Sequence, residues 1–187
     1  MAGKTEPALG EARRAVELEP VSLPLNRELV RTLLFTGQTD AAVEQARKSI
    51  GLDQNFAGAH VVLGRVQLEK GAGGEAIAEF QKALDLSEGN SNELAALGYA
   101  YAAAGRRAEA QKVLAELLER SSQTYVQPLW LAVIYGALGD KDRAFEWLDK
   151  GLADRSGWLA YLKVDPMFRP LRGDGRFADL TRRVGLP

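Results

Sequence analysis

The sequence predicts an all-α chain, a superhelical stack of helical hairpins closed by a C-terminal helical cap. Gly37, Gly71, Gly105 and Gly139 recur with a 34-residue period. Ala42, Ala76, Ala110 and Ala144 recur at the same interval just after the glycines, and Leu29, Leu63, Leu97 and Leu131 just before them. A fixed period of this length marks one supersecondary unit repeated along the chain, and such units bury their apolar faces only by stacking. Glycine at the turn permits a tight reversal with positive φ, and columns of Leu and Ala let two helices pack at short range.

Each element follows in order. Residues 6–19 read as one helix ended by Pro20, and on the 34-residue ruler they fall where the second helix of a repeat belongs. The chain therefore starts in the middle of a repeat, as a piece of a longer array or as an atypical half-unit. Ser22 is placed to cap the next helix, with Pro24 in its first turn, where no intrahelical N–H is required. That helix ends near Gly37, and its partner covers about 39–52. The second pair covers about 57–70 and 73–86, broken at Gly71-Ala72-Gly73-Gly74. Asn90 and Glu93 have the spacing of a capping box before the third pair, 91–104 and 107–120. The fourth pair covers 127–138 and 141–153, with Pro128 in its first turn. Phe80, Leu114 and Leu148 are the large residues expected to fill the seams. After Ala153 the period is expected to break. Trp158, Tyr161 and Leu162 share a helical face, Asp165-Pro166 reads as a cap followed by a first-turn proline, and Asp174 starts a last helix carrying Phe177, Leu180 and Val184. Arg182 and Arg183 lie near its C-terminal end, where cations are favoured.

These columns resemble the tetratricopeptide repeat, whose pattern W-x2-L-G-x2-Y…A-x3-F…P has a 34-residue period. Leu97-Gly98…Tyr101…Ala110…Leu114 and Leu63-Gly64…Ala76…Phe80 carry the match. The aromatic column instead reads Asn26, His60, Leu94 and Pro128, and the closing proline stands only at Pro20. The resemblance implies a right-handed α-α superhelix, the tetratricopeptide solenoid. Residues 1–153 would form the array: a half repeat at 4–22 and full repeats at about 23–56, 57–90, 91–124 and 125–155. Residues 156–187 would form the cap. The block beginning DPMFRPLRGDGRFADL also resembles the end of such arrays in bacterial multidomain signalling proteins, after a kinase, a nucleotide cyclase or a winged-helix domain.

Composition and motifs leave little room for chemistry. With no cysteine, disulfides, thiolate nucleophiles and cysteine-ligated metals are excluded. A net charge of −1 gives no general attraction to nucleic acid or an anionic membrane. The uncharged runs 94–105 and 125–139 are too short and too rich in small residues to span a bilayer. The N-terminus lacks the apolar core of a signal peptide, so the expected location is the cytoplasm. His60 is the only histidine and stands in the aromatic column, where a packing role is expected. Gly71 to Gly74 lack the preceding strand and following Gly-Lys-Ser/Thr of a phosphate loop. Asp165, Asp174 and Asp179 form a candidate carboxylate cluster, which helix capping accounts for. No catalytic, cofactor-binding or metal-binding residue is assigned, and no cofactor is expected.

The resemblance places the first helix of each pair on a concave face. Its inward positions read Arg27, Arg31, Leu34 and Phe35; then Val61, Arg65, Leu68 and Glu69; then Asn92, Ala95, Tyr99, Ala102 and Ala103; then Val126, Leu129, Val133, Gly136 and Ala137. Arginines stand near the start and apolar residues toward the cap. This grading suits a protein or peptide partner, with Arg27, Arg31, Phe35, Arg65, Glu69, Asn92 and Tyr99 as the groove residues. The competing reading makes the arginines solvated helix-face charges. The lysine–asparagine clamp of chaperone-tail-binding members is not reproduced. The small residues of 95–137 also suit a narrow groove partly filled by the cap. Two alternatives are a homodimer through an open stripe of Ala8, Ala12, Ala15 and Val16 on the first helix, and a segment regulating an attached domain in cis.

Overall fold

The computed structural model describes residues 2–186, with side chains from Glu6 onward; Met1 and Pro187, the outer ends assigned to array and cap, lie outside the described residues. Ten α-helices follow one another: α1 Ala2–Leu18, α2 Leu23–Phe35, α3 Thr39–Leu52, α4 Ala57–Glu69, α5 Gly73–Leu86, α6 Ser91–Ala103, α7 Arg107–Ser121, α8 Pro128–Ala137, α9 Lys141–Ala153 and α10 Gly175–Arg183. Two 3₁₀ helices, Gly157–Tyr161 and Pro166–Leu171, lie between α9 and α10. Among the described residues no strand occurs.

The periodic glycines perform one task four times. Gly37, Gly71, Gly105 and Gly139 adopt φ of 74°, 77°, 76° and 85°, a region that costs a residue with a Cβ. At each turn the N–H after the glycine reaches back a full turn and more along the helix, as in Gln38 N to Leu33 O at 2.9 Å and Arg106 N to Tyr101 O at 2.8 Å. The glycine N–H bonds a nearer carbonyl, as in Gly71 N to Leu68 O at 3.0 Å. These are Schellman ends, which satisfy carbonyls that a helix terminus otherwise leaves open. The four periodic alanines and four periodic leucines are all buried.

The chain divides into two compact units, residues 1–93 and 94–187, with the division in the first turn of α6. In unit 1, Leu9 of α1 joins a cluster with Leu29, Val30, Leu33, Ala42, Ala46, Leu63 and Val66. Ala12 and Val16 pack against the same cluster. The expected open stripe on α1 is thus corrected: Ala12, Ala15 and Val16 are half-buried, and only Ala8 is exposed. Leu9, Ala12 and Val16 lie on one face at helical spacing, and that face serves as the seam to α2. Ser22 holds the N-cap position of α2 without a side-chain cap bond. Its carbonyl instead accepts from Asn26 Nδ2 at 2.8 Å. Between α4 and α5 the approach is close enough that a Cβ on Gly64 would lie 2.9 Å from the Phe80 ring.

In unit 2, a Cβ on Gly98 would lie 2.6 Å from Val113 Cγ1 and 3.1 Å from Ile134 Cδ1. Asp165 and Asp174 cap the second 3₁₀ helix and α10, accepting from Met167 N at 3.0 Å and Arg176 N at 3.1 Å. Beyond Ala153 the 34-residue spacing persists in α10 alone. Asp140 and Asp174, both N-caps, are one full period apart, as are the starts of α9 and α10. Arg176 pairs with Asp142 at 2.8 Å and Arg183 with Asp149 at 2.7 Å, again one period apart, so α10 runs alongside α9. Among the described residues no α-helix precedes α10 in the place of a first helix. Pro166 and Pro170 fall within its span, and proline at 170 removes an N–H that an α-helix needs. Without that helix α10 turns a different face inward: Phe177, Leu180 and Thr181 are buried, while Ala178, the counterpart of Ala144, is exposed.

Candidate functional site

The fourth residue of α2 and of α4 shows how the sequence positions the surrounding side chains. Asn26 is buried, and its Nδ2 donates to Pro20 O at 2.9 Å while Gln45 Nε2 donates to its Oδ1. One period later His60, 2% exposed, occupies the same place. Its Nε2–H donates to Gln54 O at 3.0 Å, and Nδ1 lies 2.7 Å from Glu79 Oε2. Every partner is shifted by one full period: Pro20 to Gln54, Asn26 to His60, Gln45 to Glu79. The ring packs at the seam as its column predicts, and it also ties the preceding loop to α5.

The groove candidates of unit 1 lie on α2, α4 and the start of α6. Arg27 is exposed. Arg31 pairs with Glu28 on its own helix, leaving its side chain 16% exposed. Phe35, half-buried, lies beneath the Arg65 guanidinium, 5.6 Å from Cζ to the ring centroid. Arg65 is itself only 6% exposed, so it is not a solvated helix-face charge. Glu69 ends α4 half-buried, and Asn92 is exposed, its N–H bonded to Asn90 Oδ1 at 2.8 Å. Val61 and Leu68, on the same face of α4, are half-buried.

Unit 2 is different at the corresponding positions. Ala95, Tyr99, Ala102, Val126, Leu129, Val133 and Gly136 are all buried. Tyr99 is 8% exposed. A Cβ on Gly151 would collide with Leu129 Cδ1, so the Leu129 side chain is directed at α9. A Cβ on Gly136 would stand 3.3 Å from Leu171, which brings the second 3₁₀ helix onto α8. Leu171 thus covers α8 at Gly136.

Sequence reasoning missed Glu93. It reads as the second half of a capping box, yet its Oε2 is buried without a hydrogen-bond partner. Burial pushes its carboxyl above the ordinary range; a bond from its own backbone and the field of Arg27 oppose that shift. The signal available was the column: one and two periods earlier stand Ala59 and Leu25. The three candidate aspartates are occupied structurally, two as caps and Asp179 in a pair with Arg182. Among the described residues no group of three or more His, Asp or Glu side chains is placed to hold a metal ion, and no helix is long and apolar enough to cross a membrane.

Comparison with known proteins gives the geometry a context. The sequence pattern of a family described as tetratricopeptide repeat (TPR_15) matches residues 59–162. Among curated proteins none matches the chain. The structure is similar to TTC0263, a thermophilic TPR protein of Thermus thermophilus, at 21% identity and a TM-score of 0.64, over 97% of this chain and 92% of that one. It is similar to a chain of the APC/C hetero-tetramer Cut9–Hcn1 at 17% identity and a TM-score of 0.63, over 99% of this chain and 37% of that one. MamA aligns at 20% identity and a TM-score of 0.52, over 86% and 87%. At these identities the likeness bears on the fold alone.

Proposed function

We propose that this chain, which belongs to the tetratricopeptide repeat family, is a non-catalytic interaction module that holds a peptide segment of a protein partner on the concave face of unit 1. The observation that carries this reading is the difference in cover. Arg27 and Asn92 are exposed and Phe35, Val61, Leu68 and Glu69 half-buried, whereas the same positions of unit 2 are mostly buried. Apolar side chains flanked by charges suit an extended or helical segment, with anchors in the apolar part and polar contacts at the rim. We place the protein in the cytoplasm, as part of a larger bacterial signalling protein, on the resemblance of residues 165–187 to the ends of arrays in such proteins. Regulation of an attached domain in cis rests on that resemblance too. Self-association through α1 has less support, because the face that suggested it packs on α2.

The test uses peptides selected from a displayed random library on the whole chain. Asn92→Trp, at an exposed position, and Val61→Trp fill the face with bulk. Each is expected to weaken the selected peptides at least about tenfold by calorimetry, with the helical circular dichroism unchanged, since about 1.4 kcal/mol corresponds to that factor. Undiminished affinity in Asn92→Trp overturns the assignment of the face.

A further inference from the structure

We propose that Glu93 is a recognition residue that takes a basic side chain, lysine or arginine, from a segment bound on the concave face of unit 1. The proposal rests on the reading of that face given above, and adds the chemistry of the partner.

Glu93 carries an acceptor that the fold does not use, although its carboxyl also takes a bond from its own backbone in the first turn of α6. Its Oε2 is buried with no hydrogen-bond partner, and buried polar atoms of this kind are rare in native proteins and call for an explanation. The packing of the repeat does not supply one. The preceding members of its column are Leu25, half-buried, and Ala59, fully buried, and the following member is the neutral Gln127. An ionised carboxylate accepts several hydrogen bonds, and leaving one oxygen unbonded in a confined place is costly. Local departures from an otherwise consistent repeat are where function is expected.

The acceptor-only chemistry of a carboxylate and the net charge of unit 1 favour a cation as its partner. The charged group whose field reaches Glu93 is Arg27, and its effect is smaller than that of burial, which raises the carboxyl. Arg27 reaches over the first turn of α4 because residue 58 is glycine. A Cβ there would lie 3.2 Å from Arg27 Cδ and 2.8 Å from Phe56 Cζ. Arg27 remains exposed and Asn92, beside Glu93, is exposed as well, so the edge of this site is open to a segment lying along the face. Unit 1 as a whole also favours a basic partner. Its residues 1–93 include ten Lys and Arg against fourteen Asp and Glu, a net charge of −4. A positive side chain arriving at the exposed edge beside Asn92 is drawn there by the net field, and gains the unbonded oxygen when the half-buried Glu93 side chain turns toward it.

The experiment selects displayed random peptides in parallel on the wild-type chain and on Glu93→Gln, an isosteric change checked for folding by circular dichroism. Peptides selected on the wild type are expected to share Lys or Arg at one position. Glu93→Gln is expected to weaken them at least tenfold by calorimetry. Replacing that one basic residue by norleucine is expected to bring both proteins to the same affinity. Binding of the basic peptide is also expected to fall as pH is lowered and Glu93 protonates, with no such fall in Glu93→Gln. A selected set without a shared basic residue, or equal affinity of the basic peptide for both proteins, overturns the proposal. If Asn92→Trp fails to block the peptides, the face itself is wrongly assigned. If Asn92→Trp blocks them and Glu93→Gln does not weaken them, the face stands and only the role of Glu93 falls.

Discussion

In unit 1 the fourth residue of each first helix is a buried polar group, Asn26 or His60, bonded to the second helix and to a carbonyl of the preceding loop. In unit 2 the residues one period on are Leu94, fourth in α6, and Pro128, first in α8, both buried, and the residues matching Gln45 and Glu79 are Val113 and Trp147. The backbone turns are the same in both units, with glycine φ between 74° and 85°. One backbone period therefore accepts either a bonded polar pair or apolar residues at these two positions. What it requires is the match, because a buried polar group left alone costs far more than either complete solution gains. The two units differ in the same sense on the first-helix face, which is charged and partly open in unit 1 and apolar and mostly covered in unit 2, where Ala103 is exposed and Ala137 half-buried. Their net charges are opposite as well: residues 94–187 include fourteen Lys and Arg against eleven Asp and Glu, giving +3.

The largest effect expected from this comparison comes from transplanting one solution onto the other. His60→Leu alone leaves Glu79, 26% exposed, without its imidazole partner, and is expected to destabilise the chain by about 2 kcal/mol after allowing for that exposure. Adding Glu79→Val installs the two residue types that unit 2 carries one period later, those of Leu94 and Val113. The double variant is expected to regain more than half of the loss in urea denaturation. If it is no better than the single change, the seams of the two units are not interchangeable.

A smaller effect separates the glycines that follow the periodic leucines. Alanine at Gly64 or Gly98 gains about 1 kcal/mol of helix propensity but meets close neighbours, an overpacking that costs about 1–3 kcal/mol. At Gly98 the neighbours are side chains, Val113 and Ile134, whereas at Gly64 they include the backbone oxygen of Ala76 at 3.1 Å as well as the Phe80 ring. Both substitutions are expected to lower stability. Val113→Ala is expected to relieve much of the loss at Gly98, while Phe80→Leu leaves the Gly64 clash with Ala76 in place. A double-mutant cycle by urea titration measures both couplings. Equal relief in the two units would remove this distinction.

The repeat was legible in the sequence because its signals are local to the backbone. A glycine that must adopt positive φ, or an alanine fully enclosed between two helices, leaves the same letter at every period. Side-chain matches were less legible. Asn26 and His60 stood out as departures from an aromatic column, but their partners lie on the following helix, across a turn, and only the packed hairpin joins them. Exposure was hardest to read. Counting inward positions identified Arg65 correctly as a first-helix residue, yet its stacking on Phe35 one repeat earlier takes it out of water. Glu93 had the right spacing for a capping box, and its burial comes from neighbours that spacing does not show. The spacing that links α10 to α9 was hard to read, because two prolines leave a 3₁₀ segment where the family columns would be written.

The smallest effect sharpens the contrast between buried and exposed polar links. Unit 1 fastens its seams with enclosed pairs, whereas α10 is tied to α9 by exposed ion pairs and capped by Asp174. Hydrogen bonds from the Arg176 side chain and backbone hold the Asp174 carboxyl at about 2, below the 3.8 of a free aspartate. A carboxyl whose folded value is depressed contributes stability that is complete above its unfolded value and lost as pH falls toward the folded one. The loosening of α10 is therefore expected between about pH 4 and pH 2. In amide hydrogen exchange, protection of α10 should decline across that window. Asp174→Asn keeps a capping oxygen but does not titrate there, so its exchange should be lower in protection at neutral pH and flatter with pH. Pairs exposed to solvent are weak and salt-screened, so added salt should narrow the difference between the two proteins at neutral pH. An α10 whose protection follows the same pH curve in both proteins would show that apolar contacts through Phe177, Leu180 and Leu171, rather than the charged links, hold the cap in place.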